Sequence, residues 1–461
     1  MARTDLTILG ASGFTGKFVV GEVASRPPVP AQQLTWTLAG RNKARLEKVL
    51  AEYAGQIEAT GLAKPNLVIV DTSDEDALEE LAKGTKLILN CVGPYAKYGP
   101  PVVRATIRAS RQLKAQGQNA TDYADLSGEP GFIEDMVLKY HAEAEEVGST
   151  LVPASAFDSV PSDMAVEVCK QELIRRNAVP ASVEMFFALN TGGLVPGGNF
   201  GTYASAVNGF ASRDTLIRTR KALYDRPAKG DRPASTGLLP TPKPQAKQLG
   251  FPKRGGILKW ASEVNAYLIP FIFADPAVVR LTQSLQYKQA KQNGASANNP
   301  SLTPIIFKAW VEVPSLRILL TLFFYGALFT LFAKFEAGRN ILLQHPKLFS
   351  GGVFSKEGPS KEQIDASSFT STFVARGHSH EVLKGTKGNA GPDVKLTVKV
   401  TGPEVGYVAT PILFVLVAKI MLNQRDKVHK GVLTPAAAFK DTSLVDEISK
   451  DGRVRFRVIE N

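Results

Sequence analysis

Short apolar runs alternate with amphipathic stretches through the first third of the chain. "LTIL" (6–9), "LTWTLAG" (34–40), "LVIVD" (67–71) and "KLILNCVG" (86–93) are aliphatic and β-branched. "KLILNCVG" is too apolar for an edge strand and suits a central parallel strand buried on both faces. Between these runs lie helical patterns. Phe18, Val19, Val20 and Val23 follow the first run, and a helix over 73–82, stopped by Gly84, follows the third. "TDYADLSGEPGF" (121–132) and "STLVPASAFDSVPSD" (149–163) are two further strand ends. This alternation predicts an α/β fold, with a Rossmann-type doubly wound parallel sheet over 1–176. After Arg176 the pattern changes. "VEMFFALN", "FTSTFVARGHSHE" and "DVKLTVKVTGPE" read as strands of a second sheet, so a mixed α/β domain is expected over 177–404. "YVATPILFVLVAKIML" reads as an apolar helix interrupted by Lys419, within a C-terminal segment (405–461) expected to fold back on the first domain.

One run breaks the soluble pattern. From Ile318 to Ala333 there is no charge, and ten of the sixteen residues are Leu, Ile or Phe. Sixteen residues make a helix of about 24 Å, short of the roughly 30 Å core of a bilayer. At about −0.3 to −0.6 kcal/mol per large apolar residue, insertion is favoured by roughly 3 to 6 kcal/mol before the polar residues subtract. Arg317 and Lys334 bracket the run and can snorkel to headgroups, and Trp310 upstream suits an interface. Shallow, one-sided insertion fits these features better than a clean span. A core helix or a homodimer interface is the competing use.

The chain has 461 residues, 44% apolar and 21% charged, the balance of an ordinary folded protein long enough for two or three domains. Its net charge of +12 is uneven. The stretch 213–259 holds twelve Lys or Arg against three Asp, a local +9, with six prolines, and is expected to be a solvated basic loop. Of aromatic residues only Tyr224 and Phe251 fall among those charges, too few to stack successive bases, which argues against nucleic acid. An anionic lipid surface remains, at about 1 kcal/mol per Lys or Arg near the headgroups. Two cysteines, Cys91 and Cys169, make no disulfide framework, and "MARTDLTILG" runs straight into a strand, so a reducing, cytosolic setting is expected.

The first strand opens into "GASGFTG". Gly10 allows a tight turn, Gly13 lets the backbone approach a pyrophosphate, and Gly16 lets helix and strand pack closely. Ala11, Ser12, Phe14 and Thr15 complete the loop, whose helix N-terminus offers N–H groups to phosphate. The spacing GxxGxxG is weak by itself, and the strand–turn–helix context makes it specific. The second strand ends in Gly40-Arg41-Asn42 where an NAD site would carry an acid for the ribose 2′-hydroxyl. A guanidinium there attracts a 2′-phosphate, so NADP is expected over NAD. Asp71, at the third strand end, joins the cofactor set. Ligands of doubly wound sheets sit outside the strands' carboxyl ends, which places Cys91, Val92, Gly93, Pro94 and Tyr95 beside the nicotinamide half.

The same rim is rich in acids: Asp125, Ser127 and Glu129, with Asp158, Ser159 and Asp163. Two readings compete. These residues could cap the helices that follow them. Alternatively Tyr95, Asp125 and Glu129 face a substrate and relay a proton during hydride transfer. The five histidines show no metal spacing, and His378-Ser379-His380 is expected at the surface of a strand.

"GASGFTG", "AGR", "NCVGPY", "DLSGEP", "FDSVPSD", "GPEVGYVATP" and "KGVLTPAAAF" together resemble the saccharopine dehydrogenase-like oxidoreductases over nearly the whole chain. The resemblance implies an NADP-binding Rossmann domain, a mixed α/β domain, and association with lipid droplets and membranes. It also implies kinship with bacterial trans-acting enoyl reductases of glycolipid assembly. Two functions then follow as expectations: an NADPH-dependent reductase of an apolar, lipid-derived substrate, or a non-catalytic NADP-binding protein of the lipid-droplet surface. A soluble amino-acid dehydrogenase explains neither the apolar run nor the basic stretch.

Overall fold

A computed structural model describes residues 3–224, 250–252, 254, 258–294, 302–383 and 391–459. Six strands form the expected alternation with helices: β1 (Thr4–Leu9), β2 (Trp36–Gly40), β3 (Asn66–Ile69), β4 (Thr85–Asn90), β5 (Asp122–Asp125) and β6 (Thr150–Val152). The second half contributes β7 (Ala178–Asn190), β8 (Gly198–Asn199), β9 (Lys259–Ala261), β10 (Ala266–Pro270) and β11 (Ile306–Val313). It ends with β12 (Phe354–Ser355), β13 (Ser368–Ser379), β14 (Val394–Pro403), β15 (Gly431–Val432) and β16 (Arg455–Ile459).

The first sheet has the order β15-β6-β5-β4-β1-β2-β3, parallel throughout. The strand order reverses between β1 and β4, and this switch point is where a doubly wound sheet leaves a crevice. The second sheet, β16-β14-β13-β7-β11-β10-β9, is mixed: β7 and β11 run parallel and the other neighbours antiparallel. Helix Val160–Arg175 leaves β6 and lies across β7, β13 and β14. Leu6, Ile8 and Leu89 of the first sheet and Phe369, Phe373 and Val398 of the second belong to one continuous core.

The C-terminal segment serves both sheets. A π-turn (Val405–Ala409) and helix Thr410–Asn423 pack on helix Phe14–Ser25 and on β4, and β15 extends the first sheet. Strand β16 instead pairs with β14, because the second sheet still had an edge to fill.

Two sequence expectations need correction. Residues 213–224 of the basic stretch are not loop: Arg213–Tyr224 is a helix that buries Thr219 and Leu223, and Lys259 opens β9. Residues 225–249 lie outside the described residues. His378 and His380 are not two surface residues of one strand. His378 is buried in the sheet, β13 stops at Ser379, and only His380 is exposed.

Candidate active site

At the switch point the phosphate loop has the shape its glycines demand. Gly10 adopts φ +81°, in the left-handed region, and a Cβ there would stand 2.7 Å from the Val92 side chain. A Cβ on Gly16 would collide with the Gly10 carbonyl oxygen, and one on Gly13 would come within 3.1 Å of it. Helix Phe14–Ser25 has no side-chain cap, whereas the next two long helices of this domain are capped by Asn42 and Asp74. The N–H groups of its first turn therefore remain for a ligand with negative charge. Ala11 lies beneath the loop, and Ser12 is near enough to Gly40 to contact a Cβ there at 3.5 Å. Phe14 stacks edge-on to Tyr407 at 4.9 Å, which ties the loop to the C-terminal segment.

Arg41 extends from the end of β2, mostly exposed, with Asp71 Oδ2 3.8 Å from its Nε. Its neighbours are committed to structure. Asn42 Oδ1 accepts the Arg45 N–H and caps the helix Lys43–Glu52. Asp71 accepts the N–H and hydroxyl of Ser73, which lowers its pKa. Arg41 meets Asp71 only at 3.8 Å and Arg45 is exposed beside it, so this corner has guanidinium groups within reach of a 2′-phosphate. These features fit an adenine dinucleotide phosphate: a cradle closed to any Cβ, an uncapped helix, and an accessible guanidinium. On the other side of the switch point, Cys91, Val92, Gly93 and Pro94 lead out of β4. The Val92 N–H is held by Asn90 Oδ1 at 3.0 Å, and burial pushes the Cys91 thiol up.

The three residues expected to handle protons are occupied otherwise. Asp125 is fully buried and accepts hydrogen bonds from the Tyr123 hydroxyl (2.7 Å), the Ser127 N–H (2.9 Å) and the Ala154 N–H (3.1 Å). Burial raises its carboxyl to about 7, against these hydrogen bonds. The Tyr95 hydroxyl is buried and donates to the Asn90 carbonyl at 3.1 Å. Glu129 accepts the Tyr95 and Ala96 N–H groups at 2.8 and 2.9 Å, and so caps helix Tyr95–Ala115. The expected capping of the following helices does not occur, since neither Pro130–Val147 nor Val160–Arg175 has a side-chain cap; Glu129 caps a neighbour's helix instead. Asp163 follows suit, accepting the Ala436 N–H of the short helix Pro435–Phe439.

Sequence reasoning missed several parts of this rim. Ser205, on helix Phe200–Ala211, donates to Glu129 at 2.8 Å and brings the second domain over the rim. Asn90 links the strand ends by donating to the Tyr123 hydroxyl at 3.0 Å. Asp275 opens helix Asp275–Gln292 and is buried, with its Oδ1 accepting from the Ser162 hydroxyl. Only the glycine-rich stretch before Ser205 carried a signal, since glycines often mark close approach to a site. Asp158, which lay in the acid-rich rim, is partly exposed and stands over Gly128: a Cβ there would be 2.7 Å from Asp158 Oδ2.

Fold and crevice together define a dinucleotide-binding protein. Residues 6–152 match the saccharopine dehydrogenase NADP binding domain. The saccharopine dehydrogenase-like oxidoreductase of Rattus norvegicus is 37% identical, over 99% of this chain and 97% of its own. The chain belongs to the saccharopine dehydrogenase-like oxidoreductase family, and its cofactor is NADP. A lipid droplet localized protein of Caenorhabditis elegans is 28% identical over 98% of this chain and 97% of its own. A trans-acting enoyl reductase of Mycobacterium ulcerans (strain Agy99) is 32% identical over 52% of this chain and 52% of its own.

Proposed function

We propose that this protein is an NADPH-dependent reductase of a hydrophobic, lipid-derived substrate, working while docked on a membrane or lipid-droplet surface, with glycolipid or related lipid metabolism as its setting. The observation that carries the reading is helix Leu316–Ala333, of whose residues only Leu319 and Ala333 are buried. Leu320 and Phe324 are 58% and 65% exposed, with Ile318, Leu322, Phe323 and Leu331 beside them in sequence. So much contiguous apolar surface is rare on a soluble monomer and marks an interaction site. Inserted shallowly, it would give a reversible anchor, and the basic residues of 213–259 would supply the second signal that stable attachment needs. The lipid-droplet relative and the enoyl reductase relative are consistent with that setting.

Bound NADPH would supply the hydride. Gly10, Gly13 and Gly16 would let the pyrophosphate approach the backbone, Arg41 would hold the 2′-phosphate, and Val92 to Pro94 would border the nicotinamide. Buried Tyr95 and Asp125 favour a second reading, a lipid-droplet protein that binds NADP without turnover.

Two measurements separate these readings. NADPH should bind more tightly than NADH. Arg41→Ala should lose about 1.5–3 kcal/mol of that preference, the worth of charge-assisted hydrogen bonds, or roughly 10- to 100-fold in the ratio of dissociation constants. Equal affinities in the unmutated protein would end the assignment of Arg41. NADPH oxidation should then be followed with apolar enals, ketones and enoyl esters presented in vesicles. Tight NADPH binding with no turnover of any of them selects the non-catalytic reading.

A further inference from the structure

We propose that Asp158, backed by Asp275, is the proton donor of this reduction, for a substrate whose apolar tail lies along Phe157, Phe187, Phe271 and Phe273. The inference rests on the reductase reading and gives its site an acid and a direction of entry.

Four observations support it. The first is position. Asp158 lies in the loop that leaves the carboxyl end of β6, and its carboxyl covers Gly128 in the loop leaving β5, so it stands on the rim where ligands of such sheets bind. The second is availability. Asp125, Asp163 and Asp275 are buried, whereas Asp158 is partly exposed, and among the described residues no donor bonds its carboxyl. The third is Asp275. Its Oδ1 is held by Ser162, but its Oδ2 is buried with no hydrogen-bond partner, and its charge is felt alongside that of Asp158. The fourth is an aromatic path. Phe157, next to Asp158, lies 6.0 Å from Phe187 between ring centroids. Phe187 lies 5.7 Å from Phe271, and Phe271 lies 5.1 Å from Phe273. Phe273 and its neighbour Ile272 are exposed. The row therefore runs from solvent, through the buried rings of Phe271 and Phe187, to the residue that precedes Asp158 in the chain.

The surroundings keep a proton on this pair. From its own helix Asp163 faces Asp275, and Glu129 and Asp125 come from the loop and strand below Gly128. Among the described residues no cation acts on either carboxyl, and Arg280 pairs with Glu134 and Lys170 with Glu167. Two carboxyls that share poorly solvated space cannot both ionise readily, so they titrate as a unit with one proton held to higher pH. Burial accordingly raises both carboxyls, and Asp158 raises Asp275 further.

The step balances as follows. Bound NADPH would supply a hydride to a carbonyl carbon, or to the far carbon of an alkene conjugated to a carbonyl. In both cases the electron pair would end on the carbonyl oxygen. That oxygen would take the proton of Asp158, giving an alcohol in the first case and, in the second, an enol that tautomerises in water to the saturated carbonyl; the substrate would be reduced by two electrons. The Asp158 carboxylate recovers a proton from water through its exposed side, while Asp275 keeps it in the acid form.

The test uses the full chain with Asp158→Asn, a near-isosteric change that removes a charge and should leave thermal stability unchanged or higher. In protein labelled with ¹³C at the aspartate carboxyls and without cofactor, carbon NMR should show several carboxyls titrating above pH 5, Asp125 among them; in Asp158→Asn one of these titrations should be missing and that of Asp275 should move to lower pH. With trans-2-dodecenal, kcat of the variant should fall about 10²–10⁴-fold, the usual worth of general acid catalysis, with NADPH affinity unchanged. Phe187→Ala should raise KM for the twelve-carbon enal more than for a four-carbon one. An unchanged NMR titration, or near-normal turnover in Asp158→Asn, overturns the assignment while the reductase reading stands. A wild-type protein that binds NADPH and turns over no probe overturns both.

Discussion

Two helices of this chain read almost alike in sequence and end in opposite surroundings. Leu316–Ala333 and the stretch Val405–Asn423 are both long and apolar enough to cross a membrane by length and composition. In the first, 11% of the residues are buried; in the second, 67%. Ile412, Leu413, Phe414 and Val417 fill the space between the helix Phe14–Ser25 and the first sheet, and Lys419 leaves that core to meet Glu447 at 2.6 Å. Among the described residues, Leu316–Ala333 has no such partner along most of its length; Leu328, Phe329 and Phe332 touch a small cluster around Tyr203, Val207 and Phe349. Apolar composition therefore says that a segment must leave water, not what will cover it.

The comparison can be broken most directly with charge. Leu413→Glu would bury an unpaired carboxylate in the core and should abolish folding, whereas Leu320→Glu with Phe324→Glu should leave the melting temperature nearly unchanged. The same double variant should fail to float with phosphatidylserine-containing vesicles at any salt. If it still floats, the exposed helix is not the anchor. If it unfolds, the helix is ordinary core.

Truncation sharpens the contrast. Phe414→Ala should cost about 3–5 kcal/mol in chemical denaturation, because it empties a fully buried ring site. Phe324→Ala should fall within about 0.5 kcal/mol without lipid, since its ring already faces solvent. Similar costs at the two sites would mean that Leu316–Ala333 is covered in solution, with a second copy of the chain the first partner to look for by sedimentation.

The smallest effect tests the one charge on the buried helix. Lys419 and Lys450 hold the Glu447 carboxyl below its ordinary value. The unfolded chain therefore binds this proton more readily, so the contribution is present at neutral pH and is lost as pH falls through the carboxylate range. Lys419→Met should cost about 0–1 kcal/mol at pH 7, with the gap to wild type closing near pH 3. A gap that persists there would assign the loss to packing of the lysine stem.

The site divides in the same manner as the helices. Gly10, Gly13 and Gly16 were legible because each answers a local demand, a positive φ or a close backbone approach, that a neighbour in sequence creates. Arg41 was legible because it ends a strand whose place in the sheet follows from the alternation. The acids of the rim were not. Glu129 and Asp163 take partners from Tyr95, Ser205, Thr282 and Ala436 and cap other elements' helices, while Asp125 is held by Tyr123 of its own strand and by the N–H groups of Ser127 and Ala154. Asp275 could not be seen at all, since it lies more than a hundred positions from Ser162 and Asp158.

Sequence alone determined the parallel sheet and its phosphate loop and pointed to NADP, because strand pattern, glycine spacing and a strand-end arginine act over a few residues and leave few alternatives. Tertiary structure decided which apolar helix is core and which is surface, which carboxyls cap and which one stays accessible, and that the C-terminal segment closes both sheets. Those outcomes depend on which faces remain uncovered once every other element has packed, and no local stretch of the chain contains that information.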